Sequence, residues 1–110
     1  MEHRWSKRKA LKLDVLLYHR GMPIARSRSR NIGLEGMCVD AGIELPEHAP
    51  VDVEFELMHK GRRRRHRLPA VVVHRTEEAT GLMFRTFDRA AFQAIEEYIY
   101  LQGQAQEDIR

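Results

Sequence analysis

Two arginines stand four positions apart in "RWSKR", Arg4 and Arg8. A guanidinium is a planar fork of donors that fits phosphate oxygens, and the same fork matches the O6 and N7 acceptors of guanine. Its flat face also stacks on bases. A second stretch, "RNIGLEG", carries Asn31, Gly33 and Gly36 behind Arg30. Asparagine offers an acceptor and donors to a base edge, and glycine allows close backbone approach and positive φ. Each stretch also has a plainer reading. A basic terminus is ordinarily a solvated tail, and two glycines three apart ordinarily bracket a turn between strands.

The densest charge lies elsewhere, in "RRRRHR", residues 62–67. If Lys60-Gly61 is a two-residue hairpin turn, residues whose numbers sum to 121 face each other. Glu56 then opposes Arg65, Glu54 opposes Arg67, Val53 opposes Leu68 and Val51 opposes Ala70. Charge meets charge and core meets core, so the register is self-consistent. Cross-strand pairing accounts for about half of the run. The rest is open to a solvated strand, a nucleic-acid surface or a partner surface. No aromatic residues interleave with these arginines, which argues against base stacking and hence against nucleic acid.

Catalytic and metal chemistry find little support. His3, His19, His48, His59, His66 and His74 are scattered, and no pair has HExxH spacing. Ser6, Ser27 and Ser29 lack the setting of a nucleophile elbow. Cys38 is the only cysteine, so there is no intrachain disulfide and no cysteine-rich zinc signature. The sequence reads as neither an enzyme nor a metal protein.

The elements that must position the motifs alternate with period two. Leu11, Leu13, Val15 and Leu17 share one parity, with Leu16 the exception, and predict a half-buried strand from residue 10. Gly21 and Pro23 turn the chain. In "IARSRSRNI" the small residues Ala25, Ser27 and Ser29 take one face, and Arg26, Arg28 and Arg30 the other. Gly33 and Gly36 bracket a turn into a short strand from Met37 to Asp40, and a loop follows. "VDVEFELMH" and "RRRRHRLPAVVVHRT" form a hairpin, and "TGLMFRTF" is the last strand. The tail changes period. Phe92, Ile95 and Ile99 fall on one helical face beside Tyr98, with Asp88 as N-cap, Phe87 and Phe92 as a hydrophobic staple and Gly103 as C′.

At 110 residues the chain suits one domain. The reading is a mobile basic N-terminal arm over 1–9, a barrel with its helix over 10–103 (helix about 88–102) and a frayed tail over 104–110. Six short strands with turn signals predict a closed antiparallel barrel, and the helix covers an open end or part of its outside. A hydrophobic share of 43% against 32% charged makes the chain globular rather than disordered. Net charge +3 permits an anionic ligand without requiring one. The lone cysteine, the lack of a signal-peptide block and the lack of an 18-residue apolar run predict a cytoplasmic protein with no membrane insertion.

Taken together, an R-x3-R pair ahead of the first strand, an [D/N]-x-[S/A]-x-x-G turn two strands later and a closing helix resemble the PilZ domain. That family is the bacterial receptor module for the second messenger cyclic di-GMP. The resemblance runs from residue 4 to about 101. It implies an all-β fold, a six-stranded antiparallel barrel of Greek-key type with one C-terminal helix. It implies a cyclic di-GMP site in which Arg4 and Arg8 clamp phosphates and guanine edges, Asn31 reads a guanine edge, and Gly36 admits the backbone. Gly33 sits where the family usually has serine or alanine, and Arg30 is a further candidate for the same surface. It implies no cofactor beyond the ligand, no enzymatic activity, and a downstream protein partner that reads the ligand-bound surface. The alternative is an adaptor of the same fold that has lost nucleotide binding and acts by protein contact alone.

Overall fold

The computed structural model describes residues 8–40, 45–85 and 88–102. Seven strands are followed by one helix: β1 Arg8–Ala10, β2 Asp14–His19, β3 Met22–Gly33, β4 Gly36–Asp40, β5 Pro50–His59, β6 Arg62–Arg75, β7 Ala79–Phe84 and α1 Arg89–Glu97. All pairings are antiparallel. β1 and β2 share one edge of β3, pairing with residues 31–33 and 22–28 in turn. They are one strand position broken in two. The order from there is β3, β4, β7, β6, β5 and back to β2, a closed barrel of six strand positions. The six-stranded barrel expected from the alternating pattern is therefore the observed fold.

The break in the first strand has a local cause. Between β1 and β2 the chain is drawn onto Ser29, a buried residue of β3. Leu13 N donates to Ser29 Oγ at 2.8 Å, Ser29 Oγ donates to Leu11 O, and Ser29 N donates to Leu13 O at 2.9 Å. One hydroxyl satisfies two backbone groups that a regular ladder would have paired. β3 answers with a register shift between Ser29 and Asn31. The strand read from residue 10 thus begins at residue 8 and is interrupted at 11–13.

Two hairpins are set by turns of matching hand. Arg20 and Gly21 have φ of 54° and 81°, and Lys60 and Gly61 have φ of 53° and 76°. Positive φ at both central residues is the two-residue turn whose twist suits flanking strands. It fixes the β5–β6 register with Glu56 opposite Arg65, Glu54 opposite Arg67, Val53 opposite Leu68 and Val51 opposite Ala70.

Inward residues of β2 to β7 fill the barrel, with Leu17, Ile32, Met37, Val39, Val53, Phe55, Val72 and Leu82 at most 2% exposed. α1 closes one end. Asp88 caps it, its Oδ1 accepting from Ala91 N at 2.9 Å. The buried face is Ala91, Ala94, Ile95 and Ile99. Phe92, expected on that face, is only half-buried. Alanines let the helix approach the barrel mouth closely, and a phenylalanine would hold it off. The helix ends in a π-helical turn, Tyr98–Gln102. The expected staple partner Phe87 and the expected C′ residue Gly103 lie outside the described residues. The helix meets the β5 end at His59, whose Nδ1 stands 2.6 Å from Glu97 Oε1, a contact that is an ion pair when the imidazole is protonated.

Candidate functional site

The pairing of β1 with β3 brings the two sequence motifs together. Arg8 stands opposite Gly33, and Ala10 opposite Asn31. Arg4 lies outside the described residues, and of Arg8 the backbone position is what the structure gives. Asn31 is half-buried on β3 and also stands opposite Cys38 of β4. Leu34 and Glu35 make the turn between β3 and β4, and Phe84 N donates to Glu35 O at 2.8 Å, anchoring it to β7.

The two motif glycines have unequal reasons for being glycine. Among the described glycines, positive φ occurs at Gly21 and Gly61, so neither Gly33 nor Gly36 uses that freedom. A Cβ at Gly36 would stand 2.0 Å from the Leu82 carbonyl oxygen of β7. Gly36 is required by barrel closure between β4 and β7, with or without a ligand. Sequence reasoning offered it as room for a ligand's approach; packing against β7 is a separate demand on the same position.

Arg30 is exposed and already engaged. Its Nε donates to Asp40 Oδ1 at 2.7 Å, and that hydrogen bond raises the arginine's pKa above its ordinary value. An anion arriving here shares or replaces a carboxylate.

Beside Asn31 the outer surface of β4, β7 and β6 dips into a depression of about 330 Å³. Asn31, Cys38, His74, Gly81, Val73 and Met83 line it. Val73 and Met83 are 41% and 47% exposed, a pair of apolar side chains left facing solvent on strands. Sequence reasoning missed the β6 and β7 wall. Its signals were a glycine inside a strand, Gly81, and an outward methionine two residues on.

The 62–67 run has a different character. Arg65 Nη1 donates to Glu54 Oε2 at 2.6 Å and Nη2 to Glu56 Oε2 at 2.7 Å. The hydrogen bonds to Glu56 and then Glu54 raise the Arg65 pKa, and the Arg65 bond holds the Glu54 carboxyl below its usual range. Arg67 lies over the Tyr18 ring, its guanidinium carbon 3.7 Å from the centroid, and its Nη2 is 3.4 Å from Asp52 Oδ2. The paired register is as expected, with one refinement. Arg65 takes both glutamates, and Arg67 turns to the next strand position.

Among the described residues no group of three or more His, Cys, Asp or Glu could hold a metal ion. No helix among them is long and apolar enough to cross a membrane.

The fold is a closed antiparallel barrel with a helix over one mouth, and β1 brings Arg8 beside the β3 stretch that carries Asn31 and Gly33. The model of the PilZ domain family matches residues 2–101, and the chain belongs to that family. Domains of this family generally bind cyclic di-GMP and serve as receptors or adaptors rather than enzymes. Two solved structures share the fold. The Bacillus subtilis inhibitor of motility MotI/DgrA superposes with a TM-score of 0.81 at 20% identity, over 96% of this chain and 53% of that one. This chain thus spans about half the length of that protein. The PilZ domain of CeSA from a cellulose-synthesizing bacterium gives a TM-score of 0.63 at 17% identity, over 89% of this chain and 99% of that domain. A comparison with curated protein sequences gave no match.

Proposed function

We propose that this chain is a cyclic di-GMP receptor that binds the dinucleotide where the arm before β1 meets the β3–β4 turn. The observation that carries this reading is the antiparallel pairing in which Arg8 stands opposite Gly33 and Ala10 opposite Asn31. A ligand on this edge meets guanidinium donors from one strand and an amide from the next. Arg4 and Arg8 clamp phosphates and guanine edges, Asn31 reads a guanine edge, and Val73 and Met83 offer an apolar wall to a purine face. Arg30 contributes once a phosphate competes with Asp40. Charge-assisted bonds to the phosphates offset the ordering entropy that binding costs. The changed surface is what a partner protein reads, and the ligand's role as an intracellular messenger carries a cytoplasmic location with it.

A second reading, an adaptor without nucleotide binding, is favoured by one feature: Gly33 supplies no hydroxyl where the family usually has one. Calorimetry with cyclic di-GMP separates the two. Saturable binding supports the receptor, and a flat titration of folded protein supports the adaptor.

A further inference from the structure

On the side opposite the β4–β7 seam the barrel is closed by a short ladder only. The β2–β5 ladder runs from Tyr18 opposite Asp52 to Leu16 opposite Glu54 and stops there. β5 continues to His59 alongside β6, while the chain before β2 is drawn away to Ser29 of β3. A cleft of about 740 Å³ separates the two edges. In a two-residue hairpin the residues flanking the turn, His59 and Arg62, exchange both backbone bonds, and alternate residues turn theirs to the other side. Met58 and Glu56 therefore direct their backbone N–H and C=O into the cleft, and among the described residues no strand pairs with that edge. Unpaired strand edges template the addition of another strand.

The side chains indicate what kind of strand. Half-buried Leu11, Leu13 and Tyr98 form an apolar floor, and Met58 is 44% exposed at the rim. Five cations and three carboxylates line the cleft, an excess of two positive charges. Glu54 and Glu56 are held by Arg65. Among the described residues Arg28 and Arg63 have only contacts of 3.8 Å, to Asp14 and Glu56, and their side chains are 60% and 73% exposed. Lys12 and Arg26 are exposed beside them. We infer that this cleft is a docking edge for an extended, acidic segment of a partner protein, which adds as a strand to β5 and lays its carboxylates against Arg26, Arg28 and Arg63. This deepens the receptor reading, on which it rests for the existence of a partner, by naming the surface and the partner's chemistry.

The test uses the full chain and two probe peptides, one alternating Glu and Val over eight residues and one alternating Lys and Val. The acidic peptide binds at least about tenfold more tightly in low salt, and that preference shrinks as salt screens it. Its amide perturbations fall on residues 11–15 and 54–58. Met58→Pro, which removes an N–H aimed into the cleft, weakens binding at least about tenfold. Arg26→Glu with Arg63→Glu does the same while leaving the ladder untouched, so it decides the matter if the proline variant misfolds. Equal affinity for both peptides overturns the inference, as do perturbations elsewhere. Concentration-dependent dimerisation that protects residues 54–58 also overturns it, by giving the edge to a second copy of the chain. Cyclic di-GMP calorimetry on the wild-type protein, beside its titration with the acidic peptide, keeps the two readings apart. A failed peptide with a normal nucleotide titration sinks only the docking edge. A failed nucleotide titration with normal peptide binding sinks only the receptor.

Discussion

The β5–β6 hairpin and the β1–β3 edge both carry arginines on strands, and they differ in what stands opposite. In the hairpin, β5 supplies Glu54 and Glu56 within reach of Arg65 and Asp52 within reach of Arg67, which also lies over the Tyr18 ring of β2. On the β1–β3 edge the residue across from Arg8 is a glycine. Four arginines in a row are conspicuous in a sequence, yet Arg65 at the end of that run and Arg67 beyond it are answered from within the barrel. A pair spaced four apart is inconspicuous, yet its cross-strand neighbour has no side chain to answer it. Charge density alone is a poor guide to a binding surface; the register decides which cations remain for a ligand.

The largest expected effect breaks the motif side of this comparison through packing rather than chemistry. Gly36→Ala drives a Cβ into the Leu82 carbonyl and pries β4 from β7. Overpacking of this kind costs about 1–3 kcal/mol or more, read as a lowered midpoint in denaturant with no ligand present. Unchanged stability would mean that Gly36 is kept for something other than barrel closure.

Gly33→Ser sharpens the comparison by giving Arg8 a polar neighbour. Gly33 does not use positive φ, so serine enters without left-handed strain. One regained neutral hydrogen bond is worth about 0.5–1.5 kcal/mol, which is roughly two- to tenfold tighter cyclic di-GMP binding by calorimetry. Unchanged melting with weaker binding would put the ligand away from this turn.

On the hairpin side the sensitive group is the histidine, not an arginine. His66 is 7% exposed beside the Phe55 ring, and its Nε2 has no hydrogen-bond partner among the described residues. Burial, with Arg64 and His59 adding to it and Asp88 opposing, lowers its pKa from the ordinary 6.5. The unfolded chain therefore binds this proton before the folded one does. Stability is fully present above pH 6.5 and is lost as pH falls from there through the depressed folded value. Melting temperatures from pH 7.5 down to about 5.5 should decline more steeply for wild type than for His66→Phe. Parallel curves would assign the decline to other groups.

The smallest effect belongs to Arg65→Ala. The Arg65 side chain is 62% exposed, and ion pairs made at the surface contribute about 0–1 kcal/mol. Urea denaturation should register a loss within that range, with cyclic di-GMP affinity unmoved.

What was legible in the sequence follows from how local each cause is. The β5–β6 register could be written down because two residues, Lys60 and Gly61, fix it and alternation on both sides agrees. The N-cap at Asp88 could be read because its partner is three residues away. The break between β1 and β2 could not, since it depends on a serine sixteen residues distant from Leu13. The helix's buried face was misjudged at Phe92 because alanines leave little trace in a hydrophobic pattern. Both site motifs were readable as residue types. Their meeting at Arg8 and Gly33, the Arg30–Asp40 pair and the wall supplied by β6 and β7 all required non-local pairing.

The central claim is that the β1–β3 edge, and not the arginine run, binds the nucleotide. Calorimetry of cyclic di-GMP with wild type, Arg8→Ala and Arg63→Ala tests it most directly, with circular dichroism to establish that each variant is folded. Removing a charged hydrogen-bond partner costs about 1.5–3 kcal/mol, so Arg8→Ala should lose about ten- to a hundredfold in affinity. Arg63→Ala should change it by less than about threefold, as a peripheral charge does. A folded Arg8→Ala that binds like wild type, or an Arg63→Ala that loses more than it, would contradict the account.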